Sequence, residues 1–184
     1  GTEFVNLVEA LAQKRAARLF ANDRVPAERI FVNVQPLSGA AANNAVYEAF
    51  CTPGDVVMGM ALNHGGHLTH GSPVNRSGKR YKIVPYKVDA KAGRIDYDEV
   101  ERIARECKPR MIVSGASAYP WEIDWKRFRD ICDTCGSKPI LLADISHPAG
   151  LVVAGLFPSP VGYADVTTLT THKTMCGPRG AIIL

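Results

Sequence analysis

The sequence has 184 residues, of which 46% are hydrophobic and 22% are charged, and its formal net charge is +4. This composition is typical of a globular domain with its own core, and the mild positive charge suits an anionic ligand such as a phosphate without requiring a nucleic-acid partner. No apolar run is long enough to cross a membrane, and residues 1–20 predict an amphipathic helix instead of a signal peptide.

The five cysteines predict a cytoplasmic protein with reduced thiols, because their number is odd and they are scattered through predicted helices and strands. Cys132 and Cys135 have the spacing of a redox motif or of half a zinc site, but no second pair of Cys or His lies nearby. We therefore favour thiols that pack within a helix, and we expect no metal.

The first predicted helix covers residues 3–20, where apolar side chains recur at helical spacing between charged ones. Val25 and Pro26 end this segment, and residues 30–34 predict a short apolar strand. We expect the helix to pack on another element through Phe4, Leu7, Val8, Leu11, Ala16 and Leu19.

A turn of small residues, 36–43, follows that strand and leads into a helix predicted to run to about Phe50. Free backbone N–H groups in such a turn and at the helix N-terminus face one point, so the arrangement can bind an anion. The small side chains around Gly39 would let a phosphate approach. A plain strand-to-helix turn is the alternative.

Residues 55–60 predict another strand, and the loop after it carries His64, His67 and His70 among glycines. This spacing could suggest a metal site, but the lack of carboxylates makes a flexible loop the preferred interpretation. A histidine in this loop could also stack on a flat aromatic ligand, because the glycines leave room for one.

The rest of the chain alternates between predicted strands and helices, which is the pattern of an open α/β sheet. Asp96 is expected to cap one of the helices. Ligands bind such sheets outside the carboxyl ends of the strands, and each candidate polar residue follows a strand. Strands are expected at 81–85, 111–114, 139–143, from 165 onward and at 181–184, and helices at 97–107 and 125–135.

Two residues at strand ends could carry chemistry. Asp144 ends a buried strand, where a carboxylate is costly unless it is paired. A protonated ring nitrogen of a ligand would pair with it, and a helix or turn cap is the alternative. Lys173 follows a threonine-rich strand, where burial would lower its pKa and leave an amine able to attack a carbonyl group. The alternative is a solvated lysine in a loop.

Several motifs resemble those of the serine hydroxymethyltransferases, enzymes that use pyridoxal 5'-phosphate and a folate to interconvert serine and glycine. The most specific is the threonine run with His-Lys-Thr, two further residues and Gly-Pro-Arg-Gly, at 167–180. Three further segments also match: Val-Gln-Pro-x-Ser-Gly-x-x-Ala-Asn at 34–43, the histidine-rich segment that ends at Asn75, and Asp-x-x-His-x-Ala-Gly-Leu at 144–151.

The resemblance implies roles for the matching residues. Lys173 would hold the cofactor covalently, Asp144 would pair with its ring nitrogen, His67 would stack on the ring and His172 would relay protons. Many family members carry a serine at the position of Ala40, so the backbone donors survive here while that hydroxyl is absent. The other implied contacts are Ser38, Gly39 and Ala40 at the phosphate, Ser117 and His147 at the cofactor's oxygen side, Thr170 and Arg179 in the pocket lining with Arg179 toward the substrate, and Leu62, Gly66 and Leu68 at the folate ring.

The resemblance covers residues 3–184 and implies the large domain of a fold-type-I, aspartate aminotransferase-like transferase. This is a three-layer α/β/α structure with a mostly parallel sheet. Residues 1–184 would form a single cofactor-binding core, without the N-terminal arm and the C-terminal small domain of the family. The implied activity is that of a glycine hydroxymethyltransferase, with serine, glycine and tetrahydrofolate as ligands, in a homodimer whose active sites are shared between subunits. A different fold-type-I enzyme, such as an aldolase or an aminotransferase, and a non-catalytic cofactor-binding module are the alternatives.

Overall fold

Six strands form one sheet in the computed structural model, which describes all 184 residues. Six α-helices connect and cover the strands. The strands are β1 (Val56–Met60), β2 (Lys82–Tyr86), β3 (Met111–Gly115), β4 (Ile140–Asp144), β5 (Val166–Thr170) and β6 (Ala181–Ile183). The helices are α1 (Glu3–Phe20), α2 (Gly39–Phe50), α3 (Arg76–Arg80), α4 (Tyr97–Cys107), α5 (Trp125–Thr134) and α6 (Ala149–Val153).

The sheet confirms the predicted α/β class. Its strand order is β2-β1-β3-β4-β5-β6, in which the first five strands are parallel and β6 runs antiparallel to β5. All residues of β3 and β5 are buried, as expected for parallel strands that are covered on both faces. Because the parallel strands point the same way, their carboxyl ends lie along one edge of the sheet.

Two apolar clusters pack against the sheet through alternating strand residues. Val57, Val113 and Leu142 join Val46 and Tyr47 of α2 in the smaller cluster. The neighbouring strand positions, among them Met58, Ile112 and Leu141, join residues of α1, α4 and α5 in the larger one. Because successive side chains of a strand point to opposite faces, the two clusters lie on opposite sides of the sheet.

Side-chain caps explain where the helices begin. Asp96 accepts hydrogen bonds from the backbone N–H groups of Asp98 and Glu99, which confirms the predicted start of α4. Asp124 caps α5 in the same way through the N–H of Arg127. The cap at Asp96 was predicted from the sequence, whereas the cap at Asp124 was not; both helices agree with their predicted bounds to within about one residue.

The first helix has the predicted bounds, since α1 runs from Glu3 to Phe20, but the strand expected after it is absent. Residues 30–34 do not form a strand; only Asn33 makes an antiparallel bridge, to Ile183 at the sheet edge, and Phe31 is 83% exposed. The apolar stripe of α1 is buried only near its end, at Ala16, Ala17 and Phe20, whereas Phe4 is 79% exposed. The helical spacing therefore predicted α1 correctly. It did not predict that the apolar side chains in the first half of this helix have no other element packed against them.

The Cys132–Cys135 pair agrees with the packing interpretation. Both thiols are buried at the end of α5 within the larger apolar cluster, and all five cysteines are free. Burial raises the pKa of Cys132 to about 12, so this sulfur stays protonated and unreactive at neutral pH. None of the helices combines the length and the apolar composition that a membrane crossing needs.

Candidate active site

A cavity of about 220 Å³ lies at the carboxyl edge of the sheet, between β3, β4 and β5 and the N-terminus of α2. Four lining residues were not predicted: Asn43, His70, Ala116 and Ser146. The predicted residues that the structure brings together here are Ser38, Gly39, Ala40, His67, Ser117, Asp144, His147, Thr170, His172 and Lys173.

Asp144 is the most firmly held group in the cavity, since only 7% of the residue is exposed and both carboxylate oxygens are bonded. Its Oδ2 accepts from Asn43 Nδ2 and lies 2.9 Å from His70 Nε2, while its Oδ1 accepts from the N–H of Ser146. Burial alone would raise the pKa of Asp144, but the hydrogen bond and charge of His70, with the bonds from Ser146 and Asn43, outweigh it and hold that pKa below its usual range. We call Asn43, His70 and Asp144 the carboxylate cluster; it keeps a negative charge inside the cavity.

The carboxylate cluster is connected to His67 through Thr69. Asn43 Nδ2 donates to Thr69 Oγ1 at 2.9 Å, and Thr69 Oγ1 lies 2.8 Å from His67 Nδ1. The backbone N–H of Thr69 also donates to that nitrogen, so Nδ1 is the acceptor of the ring. Burial, followed by the charge of His70, lowers the pKa of His67. The imidazole of His67 is therefore neutral and fixed in orientation at the cavity wall.

Lys173 lies in residues 171–180, which we call the lysine turn, between β5 and β6. Its Nζ is 3.1 Å from His147 Nε2, and burial lowers the pKa of both groups. The charge of Lys173 lowers the pKa of His147 further. Thr174 ties the turn to the start of α6, because its hydroxyl donates to the His147 carbonyl and accepts from the N–H of Gly150. The amine thus reaches the same cavity as Asp144.

The N-terminus of α2 closes the cavity at the end opposite the sheet core. Ser38 caps the helix, since its Oγ accepts from the N–H of Ala41 at 3.3 Å and its carbonyl accepts from the N–H of Ala42. The N–H groups of Gly39 and Ala40, which precede these bonds, remain available to a ligand. A Cβ at Gly39 would lie only 2.8 Å from Thr170 Cγ2, so this close approach requires glycine. Such a helix N-terminus favours an anion.

Four predicted contacts lie outside this cavity. Leu62 lines a neighbouring cavity of about 620 Å³, which shares His67 and His70 with the first. Gly66 is packed against the backbone, as its Cβ would be 2.1 Å from the Met60 carbonyl oxygen, and Leu68 is 44% exposed.

Arg179 is exposed in the lysine turn and lines neither cavity. Its position within the matching Gly-Pro-Arg-Gly motif did not reveal which way its side chain faces. No group of three or more His, Cys, Asp and Glu side chains is arranged to hold a metal ion.

The missed residues carried weak signals in the sequence. Asn43 is four residues after Gly39, so both lie on one face of α2. Ser146 is two residues after Asp144, in the turn just beyond β4. His70 was recognised as part of the histidine-rich loop, but its partner Asp144 lies 74 residues away in the sequence.

Comparison with known proteins gives a uniform result. The family model described as serine hydroxymethyltransferase matches residues 1–184. Similar curated proteins include the serine hydroxymethyltransferase of Teredinibacter turnerae, 55% identical over 184 residues, and serine hydroxymethyltransferase 3 of Pseudomonas fluorescens, 56% identical over 184 residues. The serine hydroxymethyltransferase of Methylococcus capsulatus is 55% identical over the same length. Each alignment covers 100% of this chain and 42% of the relative, so the chain spans less than half the length of these curated relatives.

Proposed function

Because the chain belongs to the serine hydroxymethyltransferase family, we propose that it forms the pyridoxal-phosphate-binding core of an enzyme that interconverts serine and glycine and transfers the one-carbon unit to tetrahydrofolate. The observation that carries the proposal is one cavity that joins the amine of Lys173, the ionised carboxylate of Asp144 and the N-terminus of α2. We further propose the three-layer fold of type I for this core, supported by apolar clusters on both faces of the sheet.

The cavity residues fit the cofactor, since each of its chemical parts finds a suitable group. The free N–H groups at the start of α2 suit a phosphate dianion. The carboxylate of Asp144 suits a protonated ring nitrogen, and the neutral, oriented imidazole of His67 suits the face of a flat ring. The amine of Lys173 suits an aldehyde. When bound, the cofactor supplies a sink for the electrons released at the substrate α-carbon.

The residues of the chain have distinct tasks in this proposal. Lys173 holds the cofactor, and its lowered pKa increases the fraction of neutral, nucleophilic amine at neutral pH. Asp144 stays ionised and so keeps a proton on the ring nitrogen. His147, whose lowered pKa leaves it neutral, can exchange a proton with the Lys173 amine across 3.1 Å.

His172 also lines the cavity, and its Nδ1 is buried without a hydrogen-bond partner. This nitrogen is therefore free to take part in proton relay beside Lys173, as proposed. Ser117 lies on the β3 side of the cavity, where it would contact the cofactor's oxygen side. Thr170 contributes its methyl group to the cavity wall near Gly39, because its hydroxyl donates to the Ser146 carbonyl.

Folate binding and dimerisation are the outer part of the proposal. We place the folate ring at the loop of Leu62, Gly66 and Leu68, supported by the neighbouring cavity that begins at Leu62 and reaches His67. The exposed apolar side chains of α1 support a partner surface in a cytoplasmic homodimer. Arg179 keeps its proposed place near the substrate, although it does not line the cavity in this structure.

Reductive trapping tests the proposal at Lys173. The purified protein is incubated with pyridoxal phosphate, reduced with borohydride and digested, and the modified lysine is identified by mass spectrometry. We expect modification at Lys173 and its loss in Lys173→Arg. Modification at Lys14, Lys79 or Lys82 with Lys173 untouched would contradict the site. Folate-dependent serine cleavage, compared with folate-free threonine cleavage and transamination, then tests the reaction itself.

A further inference from the structure

Ser146 presents a hydroxyl that the chain itself does not use. The residue is 6% exposed and lines the cavity. Ser146 forms hydrogen bonds only through its own backbone atoms: its N–H donates to Asp144 Oδ1, and its carbonyl accepts from Thr170 Oγ1. These two bonds fix the backbone of Ser146 while its Oγ has no partner in the chain. A hydroxyl that belongs to a largely buried residue, lines a cavity and has no partner in the chain is available to a ligand.

The free hydroxyl lies beside the N-terminus of α2. A Cβ placed on Gly39 would be 3.3 Å from Ser146 Oγ, so the serine faces the first residue of the helix across a gap that only glycine leaves open. The unbonded N–H groups of Gly39 and Ala40 belong to the same end of the cavity. The Ser146 hydroxyl and these two backbone donors therefore lie where the helix dipole favours negative charge.

The neighbouring hydroxyls cannot replace Ser146. Thr170 uses its hydroxyl proton for the Ser146 carbonyl and turns its methyl toward Gly39. Ala40, in the first turn of α2, has no hydroxyl at all. Ser38 keeps a free proton, because its Oγ only accepts from the N–H of Ala41. Ser38 and Ser146 are thus the two hydroxyl donors at this end of the cavity.

We propose that Ser146 is a phosphate-binding residue, whose hydroxyl donates a hydrogen bond to the cofactor phosphate at the N-terminus of α2. The inference rests on the proposed function, because it assigns one more contact within the same site. The chemistry that Ser146 recognises is an oxyanion, which either the cofactor phosphate or the substrate carboxylate would supply. The position beside Gly39, at the free N–H groups that begin α2, favours the phosphate.

Two binding measurements separate these sources in the purified protein. The affinity of the apoprotein for pyridoxal phosphate and for pyridoxal, which lacks the phosphate, is titrated by absorbance for wild type and Ser146→Ala. We expect Ser146→Ala to weaken pyridoxal phosphate binding about tenfold or more, as for a hydrogen bond to a charged group, and to leave pyridoxal binding unchanged. Ser137→Ala, at the opposite edge of the sheet, serves as the matched control without effect.

A structural role for Ser146 would give a different result. Because its hydroxyl has no partner in the chain, its removal should leave the melting temperature of the apoprotein unchanged or slightly higher. A second hydroxyl restores the contact: Ala40→Ser in the Ser146→Ala background should recover most of the lost pyridoxal phosphate affinity. A lower apoprotein melting temperature, or equal weakening of both ligands, overturns the assignment.

The remaining outcomes distinguish the two proposals. An unchanged affinity for pyridoxal phosphate in Ser146→Ala, with Lys173 still labelled on reduction, overturns the role of Ser146 alone. The same result with a raised KM for serine assigns the hydroxyl to the substrate carboxylate and also overturns it. A wild-type protein in which Lys173 takes up no cofactor overturns the proposed function itself.

Discussion

On the sheet side of the cavity, Asp144 is held by Asn43, His70 and the N–H of Ser146, whereas on the open side the amine of Lys173 has one neighbour, His147. The carboxylate cluster is buried and rigid. The lysine turn carries exposed residues, among them Cys176 at a φ of 54°, and its side-chain hydrogen bonds to the rest of the chain come from Lys173 and Thr174. The carboxylate cluster holds the charge of Asp144 in a fixed position. The lysine turn holds the Lys173 amine through one contact, with His147, so the amine can leave that contact to react.

The carboxylate cluster and the lysine turn also differ in how much their hydrogen bonds contribute to the stability of the fold. Since a carboxylate oxygen can only accept, His70 Nε2 carries the proton of their contact, and its Nδ1 is buried without a partner. The cluster therefore depends on Asp144 to satisfy two buried donors. The amine of Lys173 satisfies no buried group except His147, which is itself partly exposed.

Asp144→Ala should produce the largest loss of stability in the site. It leaves His70 Nε2 and Asn43 Nδ2 buried without an acceptor, and removing one member of a buried pair costs about 3–5 kcal/mol. Lys173→Ala should change the free energy of unfolding of the apoprotein by less than about 0.5 kcal/mol while abolishing reductive trapping. Urea denaturation of the apoproteins measures both effects.

Asp133→Ala is the control for this comparison, because its carboxylate forms an exposed pair with Arg129 and should contribute at most about 1 kcal/mol. Equal losses of stability for Asp144→Ala and Lys173→Ala would show that the two sides of the cavity are not built differently.

Acid should weaken the carboxylate cluster in a defined pH range. The folded pKa of Asp144 lies below the unfolded value of about 3.9, so between the two the unfolded chain binds more protons. The stabilisation from Asp144 is therefore complete above about pH 5 and is lost as the pH falls through the folded pKa. The difference in free energy of unfolding between wild type and Asp144→Asn should be constant from pH 5 to 7 and shrink below about pH 4. A difference that stays constant down to pH 3 would contradict the lowered pKa.

The lysine side of the site was more visible in the sequence than the carboxylate cluster. Asp144 and Lys173 could be predicted because the strands that place them have a clear composition: Asp144 ends β4, and Lys173 lies in the turn just after β5. Asn43 and His70 could not be assigned to Asp144, since their contacts span 101 and 74 residues and depend on how α2 and the histidine-rich loop pack against the sheet. The local sequence pattern predicts that a residue lies at the carboxyl edge of the sheet. Which side chains contact each other at that edge depends on how the helices and loops pack against the sheet.

The same limit explains the errors at the periphery. Residues 30–34 have a strand-like apolar pattern, but the adjacent edge strand β6 has only three residues and offers one bridge, at Asn33. Arg179 belongs to a specific motif, Gly-Pro-Arg-Gly, but the direction of its side chain depends on the fold of the lysine turn. A sequence pattern predicts the spacing of apolar residues in an element, but it does not predict which other elements are present for that element to pair with or pack against.

The smallest expected effect tests the single hydrogen-bond contact of the Lys173 amine, which is with His147. If the charge of Lys173 helps to keep His147 neutral, Lys173→Met should raise the pKa of His147. An NMR titration of the imidazole signals measures this, with Lys126→Met, on the exposed face of α5, as the control that leaves His147 unchanged. A neutral His147 is the state that can accept a proton from the Lys173 amine, so the size of the shift reports how strongly the turn couples these two groups. An unchanged pKa of His147 in Lys173→Met would mean that the Lys173 amine does not contact His147 in solution. The proposed proton exchange between these two groups would then be wrong.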